Sequence, residues 1–266
     1  MRKLTAFLFL LPALLLACGG DDAKAVPTST PTLADSASIK STPVPATTSA
    51  PGPTSTPRVS SAGEPFVFQS TADGQTMKGH LYANAGPKRK VVILAHGASE
   101  DQSVWQPFAQ ELAAKGIAAV TFDFRGYGET GGAKEPSKLA TDLEVAVRFL
   151  KSQDWPLVYI VGSDIGGTAA LKVAVNQDLA GVATVSSVPN AGNGLDATSD
   201  IAKVVEPKLF MAGGTDMAAN SAVITMSSSA TDPKTTQSIA GTSAHGVALL
   251  QNETAKQALL SFIGAP

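Results

Sequence analysis

One stretch limits what this chain can fold into: Tyr159-Ile160-Val161-Gly162-Ser163-Asp164-Ile165-Gly166-Gly167-Thr168-Ala169-Ala170. An apolar, β-branched run enters a turn bracketed by glycines, and a small-residue helical pattern follows. In that order a strand feeds a sharp turn, then a helix whose N-terminus points back at the turn. Gly162 and Gly166 bracket Asp164, and glycine suits these places because the turn brings its neighbours into close contact.

The flanking segments extend the same alternation. Phe66-Val67-Phe68 and the run Met77 to Tyr82 surround Ala72-Asp73-Gly74-Gln75, and an Asp-Gly step between apolar runs predicts a β-hairpin. Val91-Val92-Ile93-Leu94-Ala95 is a continuous apolar run, as expected of a strand buried on both faces. Trp105, Phe108 and Leu112 stand at helical spacing before Gly116. Ile117 to Phe122 predicts a strand, and Leu139, Leu143, Val147 and Leu150 an amphipathic helix. Further strands are expected over Leu179 to Val188, Lys208 to Ala212 and Thr235 to Ile239. Residues 220–229 are read as helical, and the last helix runs from about Glu253 to Ile263. Strands that alternate with helices and read as solid apolar runs imply an α/β fold, a parallel sheet covered on both faces. Right-handed crossovers gather the strand-to-helix turns at one edge. His96, Asp123, Asp164, Asp216 and His245 each follow an expected strand, so they should meet there.

The N-terminal part differs. Met1-Arg2-Lys3 is basic, Leu4 to Leu16 is almost wholly apolar, and Ala17-Cys18-Gly19 follows. This reads as an export signal with a core too short for a confident membrane span. Cys18 is the single cysteine, so no intrachain disulfide forms. Leu15-Leu16-Ala17-Cys18 resembles the lipobox of bacterial lipoproteins, which implies lipidation at Cys18 and a protein held on the outer face of a bacterial cell membrane. Residues 1–17 are then a signal peptide and residues 18–63 a tether. Ala, Ser, Thr and Pro dominate that tether, a composition that cannot bury enough apolar surface to order itself. Residues 64–266 form the folded domain. A formal charge of −2 without a basic stripe argues against nucleic acid. No metal or cofactor is expected.

Gly-x-nucleophile-x-Gly between strand and helix is the nucleophile-elbow pattern. Four further motifs stand in order around it: His96-Gly97-Ala98, Asp123-Phe124-Arg125-Gly126-Tyr127-Gly128, Asp216 after its strand, and His245-Gly246. Together they resemble the α/β-hydrolases, of the compact sort typified by dienelactone hydrolase and serine aminopeptidase-like members, across roughly residues 64–266. The resemblance implies a mostly parallel eight-stranded sheet with helices on both faces, and a small-molecule substrate. It implies His245 as general base, Asp216 as the acid that fixes its tautomer, and an oxyanion hole from the N–H groups of Ala98 and Ile165. Asp196 or Asp200 are alternative acids. His96 is expected to shape its loop, His80 to pack in the hairpin, and Asp123 to order the loop around Arg125.

The departure is Asp164, where serine is usual. A carboxylate can be the nucleophile. Relatives with aspartate there open haloalkanes and epoxides through an alkyl-enzyme ester. They also carry a cap, and only Pro189 to Pro207 is free to hold one, too short for a helical lid. Three functions are therefore open: a capless hydrolase of a small ester-like or alkyl substrate through Asp164, Asp216 and His245; a degenerate, tethered binding protein; and an esterase using Ser163.

Overall fold

The computed structural model describes residues 62–84 and 86–264, all within one compact unit, Thr54–Pro266. The expected signal peptide, Cys18 and nearly all of the tether lie outside the described residues.

The strands are β1 (Glu64–Gln69), β2 (Thr76–Tyr82), β3 (Lys90–Ala95), β4 (Ala118–Phe122), β5 (Leu157–Ser163), β6 (Gly181–Val185), β7 (Asn190–Gly192), β8 (Leu195–Asp196), β9 (Lys208–Gly213) and β10 (Lys234–Ile239). Between them run α1 (Gln106–Ala114), α2 (Leu139–Ser152), α3 (Ile165–Ala174), α4 (Met217–Ser229) and α5 (Glu253–Ile263). Eight strands form one sheet in the order β1-β2-β4-β3-β5-β6-β9-β10. The hairpin β1–β2 is antiparallel and joins β4 antiparallel; from β4 to β10 every pairing is parallel.

The solid apolar runs sit in the middle of that sheet because only there are both faces covered. In β3, Val91, Val92, Ile93, Leu94 and Ala95 are wholly buried. Alternate residues of the sheet feed two separate cores. Val91 and Ile93 pack with α2, α3 and α4; Val92 and Leu94 pack with α1 and α5. Each buried Val, Leu or Ile contributes about 1.5–3 kcal/mol, so these cores fix the parallel register. That register brings Ala95 level with Gly162 and Ser163 level with Val185, so the turns after β3, β5 and β6 emerge side by side.

The strand expected over Leu179 to Val188 is shorter, because Ser186 takes φ 54° and ends the pairing at Val185. Helix α4 begins three residues before its expected start because Asp216 caps it, the side chain accepting from Ala219 N at 3.3 Å. Pro189 to Pro207 holds the small hairpin β7–β8 and a 3₁₀ turn at Ile201–Lys203, and no cap domain. The hairpin had no signal in apolar periodicity, since its strands are two and three residues long.

Candidate active site

Asp164 is the single residue between β5 and α3, with φ 48° and ψ −118°. A non-glycine residue in that conformation costs on the order of 1–3 kcal/mol and persists only where its surroundings enforce it. They do so by packing backbone against backbone. A Cβ on Gly162 would collide with the backbone of Gly166 and Gly167. A Cβ on Gly166 would stand 2.5 Å from Ala95 O and 2.7 Å from His96 O. The turn thus presses directly on the loop that leaves β3.

That loop is built by a buried imidazole. His96 Nδ1 donates to Gly97 O at 2.8 Å, and Nε2 accepts from Phe124 N at 3.1 Å. One ring nitrogen donates and the other accepts, so the ring is neutral, in keeping with the burial that pushes its pKa down. The expected loop-shaping role matches this geometry. Phe124 and Tyr127 pack edge-on against the ring, their centroids 5.1 and 4.9 Å away.

The loop's amides are shared between two carboxylates. Ala98 N donates to Asp164 Oδ2 at 2.9 Å, and Gly97 N donates to Glu100 Oε2 at 3.0 Å. Glu100 Oε2 also accepts from Ser163 Oγ at 3.3 Å. A methyl placed on Gly97 would lie 2.9 Å from Glu100 Oε2 and 3.3 Å from Asp164 Oδ2, so both carboxylates flank one glycine. Glu100 was missed in the sequence. Its only signal there is a carboxylate three residues beyond Gly97, a spacing that lets the side chain fold back onto its own turn.

His245 Nδ1 and Asp216 Oδ2 are 2.6 Å apart. Asp216 has its other oxygen on Ala219 N, so one carboxylate caps α4 and orients the imidazole. The imidazole is 54% exposed and the carboxylate 12%, which leaves the far edge of the ring open to water. Among the described residues no ion pair within 4.0 Å joins His245 to Asp164. Asp196 and Asp200 are occupied elsewhere: Asp196 with Asn190 and Thr198, Asp200 with Lys172 and Lys203. Ile165 opens α3, so its amide is one of the helix donors without an intrahelical acceptor. Ser163 is wholly buried at the end of β5, and the positive φ falls on the residue after it.

Asp123 orders the loop around Arg125, as expected, by closing it from residue 129. Its oxygens accept from Gln102 N, Gln102 Nε2 and Glu129 N, at 2.8, 2.9 and 2.8 Å. It therefore ties the segment after the His96 loop to the loop at 128–129, and does not pair with Arg125. Arg125 instead forms a two-pronged pair with Asp142, at 2.8 and 2.5 Å, and reaches Asp73 at 2.7 Å. These carboxylates push the guanidinium further up, while Arg125 holds Asp73 well below the usual carboxylate range. The reason is topological: Asp142 and Asp73 come from α2 and the hairpin, remote in sequence. Burial first, then the charge of Asp164, pushes the Tyr127 phenol up, so Tyr127 stays protonated at neutral pH.

An eight-stranded, mostly parallel sheet with a strained residue between β5 and α3 and a His–Asp pair at the same edge defines the α/β-hydrolase class. Residues 86–248, more than half of the chain, match the family model described as serine aminopeptidase, S33, and the chain belongs to that family of hydrolases. An uncharacterized protein of Mycobacterium tuberculosis is 27% identical over 179 residues, 58% of this chain and 62% of that protein. The chain thus spans less than two thirds of that relative's length. The thiohydrolase aneE of Aspergillus aculeatus is 32% identical over 114 residues, 39% of this chain and 35% of the relative. Among solved structures, a hydrolase from Pseudomonas aeruginosa superposes with a TM-score of 0.64 at 16% identity, covering 77% of this chain and all of the other. The Pyrococcus furiosus esterase Pf2001 superposes with the same TM-score and identity, covering 75% and 91%. At such identities the structural likeness concerns the fold.

Proposed function

We propose that this chain is a lipid-anchored, extracytoplasmic hydrolase that acts on a small alkyl or ester-like substrate through Asp164, with Asp216 and His245 completing the set. The observation that carries the reading is the 2.9 Å bond from Ala98 N to Asp164 Oδ2. It ties one carboxylate oxygen to an amide that this reading assigns to the oxyanion hole, and Oδ1 is then the attacking atom. An acyl substrate would have to displace Oδ2 from that amide; an sp³ carbon need not. Alkyl electrophiles, haloalkanes and epoxides, are therefore favoured over esters.

The steps balance as follows. Oδ1 attacks the carbon, and the bond to halide or ring oxygen breaks with its electron pair; a ring oxygen takes a proton from solvent. The product is an ester of Asp164. Water loses a proton to Nε2 of His245 and adds to the ester carbonyl carbon. The negative charge then forms on Oδ2, facing the N–H groups of Ala98 and Ile165. Collapse breaks the acyl C–O bond, His245 returns its proton to the departing alkoxide, and the acid left on Asp164 ionises to solvent. Asp216 keeps the imidazole in the tautomer that accepts at Nε2. Anchoring is supported by Leu15-Leu16-Ala17-Cys18.

The test incubates the full chain carrying His245→Gln with epoxides, haloalkanes and short esters, then maps adducts by peptide mass spectrometry. An alkyl adduct on Asp164 that fails to turn over supports the reading; unmodified Asp164 with every probe refutes it. Mass analysis of the mature chain, with or without acyl groups on Cys18, tests the anchor.

A second reading, a binding protein on a lapsed hydrolase site, is favoured by the separation of His245 from Asp164 and by two carboxylates occupying the loop amides. Esterase activity gained on Asp164→Ser, with no turnover in the parent, would select it. The Ser163 esterase is the least supported, since that hydroxyl is buried and donates to Glu100.

A further inference from the structure

We infer that Glu100 is a positioning residue. Its carboxylate locks the loop after β3 to the end of β5 and forms the stop against which the His245 loop rests, and so sets how near the imidazole stands to Asp164. This deepens, and rests on, the reading that Asp164 and His245 form the reacting centre.

Three segments have to meet for that centre to work: the loop after β3, the elbow after β5 and the loop after β10. Glu100 touches all three. It closes its own turn in both directions, since Glu100 N donates to Gly97 O at 3.3 Å and Gly97 N donates to Glu100 Oε2 at 3.0 Å. The same oxygen accepts at 3.3 Å from Ser163 Oγ, on the residue before Asp164. The other oxygen faces the third segment. A Cβ on Gly246, the residue after His245, would lie 2.8 Å from Ser163 Oγ and 3.3 Å from Glu100 Oε1. Gly246 is buried and takes φ 59°, so glycine is required there for space and backbone alike.

The His245 loop is hydrogen-bonded on one side. Toward β9 and α4, Thr215 N donates to Thr242 O at 3.0 Å, and the imidazole pairs with Asp216. Toward the elbow, among the described residues, no hydrogen bond joins residues 243–247 to the loop after β3, to Ser163 or to Asp164. What limits the approach on that side is the contact of Gly246 with the bonded pair Ser163 and Glu100. Removing the carboxylate leaves Gly97 N and the buried Ser163 hydroxyl without this acceptor and opens space beneath Gly246.

The role needs shape and acceptance, and no proton transfer. Glutamine has the same length, and its carbonyl oxygen accepts the same two bonds. Aspartate keeps the charge but is one methylene shorter, so it withdraws from Ser163 and Gly246. The two variants therefore separate position from charge. The reaction separates as well. Alkylation uses Asp164, whereas hydrolysis of the resulting ester uses His245 and the loop amides. Loss of Glu100 falls on the second half.

The test has two arms on the full chain. In the first, the adduct of 1,2-epoxybutane or 1-bromobutane on Asp164 is followed in time by mass spectrometry. Glu100→Ala is expected to alkylate at a rate close to the parent's and to hydrolyse the adduct slower by about tenfold or more, since small displacements at a reacting centre are costly. Glu100→Gln restores hydrolysis and Glu100→Asp does not. Equal slowing of both halves, unchanged hydrolysis in Glu100→Ala, or Glu100→Gln as slow as Glu100→Ala overturns the proposal. The second arm needs no substrate. In the variants that melt cooperatively, amide hydrogen exchange over residues 244–250 is expected to speed up by about tenfold or more in Glu100→Ala and Glu100→Asp, to return in Glu100→Gln, and to leave β6 unchanged. Unchanged exchange over 244–250 overturns the proposal. A parent that no probe alkylates counts against the hydrolase reading, and the exchange arm still decides whether Glu100 places the His245 loop.

Discussion

Gly166→Ala adds one methyl group where the elbow meets the loop after β3. The new carbon would start 2.5 Å from Ala95 O and 2.7 Å from His96 O. An ordinary carbon–oxygen contact is about 3.4 Å, so the overlap is most of an ångström. Neither oxygen can yield. Ala95 is paired on both sides, with Phe122 of β4 and Gly162 of β5, and His96 is clamped by its own ring bonds. The elbow must move instead, and the 2.9 Å bond from Ala98 to Asp164 lengthens beyond hydrogen-bonding range. Overpacking a tight site costs about 1–3 kcal/mol; with backbone on both sides the upper end applies, and the broken bond adds about 1 kcal/mol. At 2–4 °C per kcal/mol for a domain of this size, Tm falls by roughly 8–16 °C. A displacement of about 1 Å at a reacting centre costs about 100-fold in rate. The assay is thermal melting of the parent and variant beside Gly86→Ala, whose added carbon meets nothing within 4 Å. If Gly166→Ala melts within a degree or two of Gly86→Ala, the elbow does not press on the loop as described and the argument fails.

Further outcomes follow from the same geometry. Asp216→Asn should cut turnover by about 100-fold or more, because the imidazole loses the acceptor that fixes its tautomer, while Asp200→Asn leaves turnover within twofold; equal effects of the two would remove Asp216 from the site. Asp142→Asn should destabilise by about 3 kcal/mol in urea unfolding, since it removes the wholly buried carboxylate from the Arg125 guanidinium and leaves only the more exposed Asp73 and Glu135, and a loss under 1 kcal/mol would show that these two suffice. His96 is held neutral by burial, with its folded pKa below the unfolded value. The unfolded chain therefore binds the extra proton, and stability falls as pH drops below about 6.5. His96→Asn should flatten that slope between pH 7 and 5; an unchanged slope assigns it to other groups.

Glu100 shows why part of the site stayed out of reach of sequence reasoning. A lone glutamate in a loop carries no pattern, and its partners Gly97 and Ser163 lie on two different strand exits. Arg125 is a second case: its partners Asp142 and Asp73 come from α2 and the hairpin turn, and no local spacing announces them. The hairpin β7–β8 is a third case, too short for alternation to register.

The sequence by itself determined the sheet, the order of its turns and the residue on the elbow. Those follow from local rules: apolar runs bury, glycines permit close approach, and the crossover hand puts strand exits on one edge. The family likewise follows from motifs in order. Tertiary structure alone decided where each carboxylate points. Asp164 turned Oδ2 onto Ala98, Glu100 took Gly97, and Asp216 took both a helix end and His245. Side-chain direction depends on which donors lie within hydrogen-bonding reach, and for Asp164 and for the imidazole on Asp216 those partners come from segments that meet only when the sheet forms.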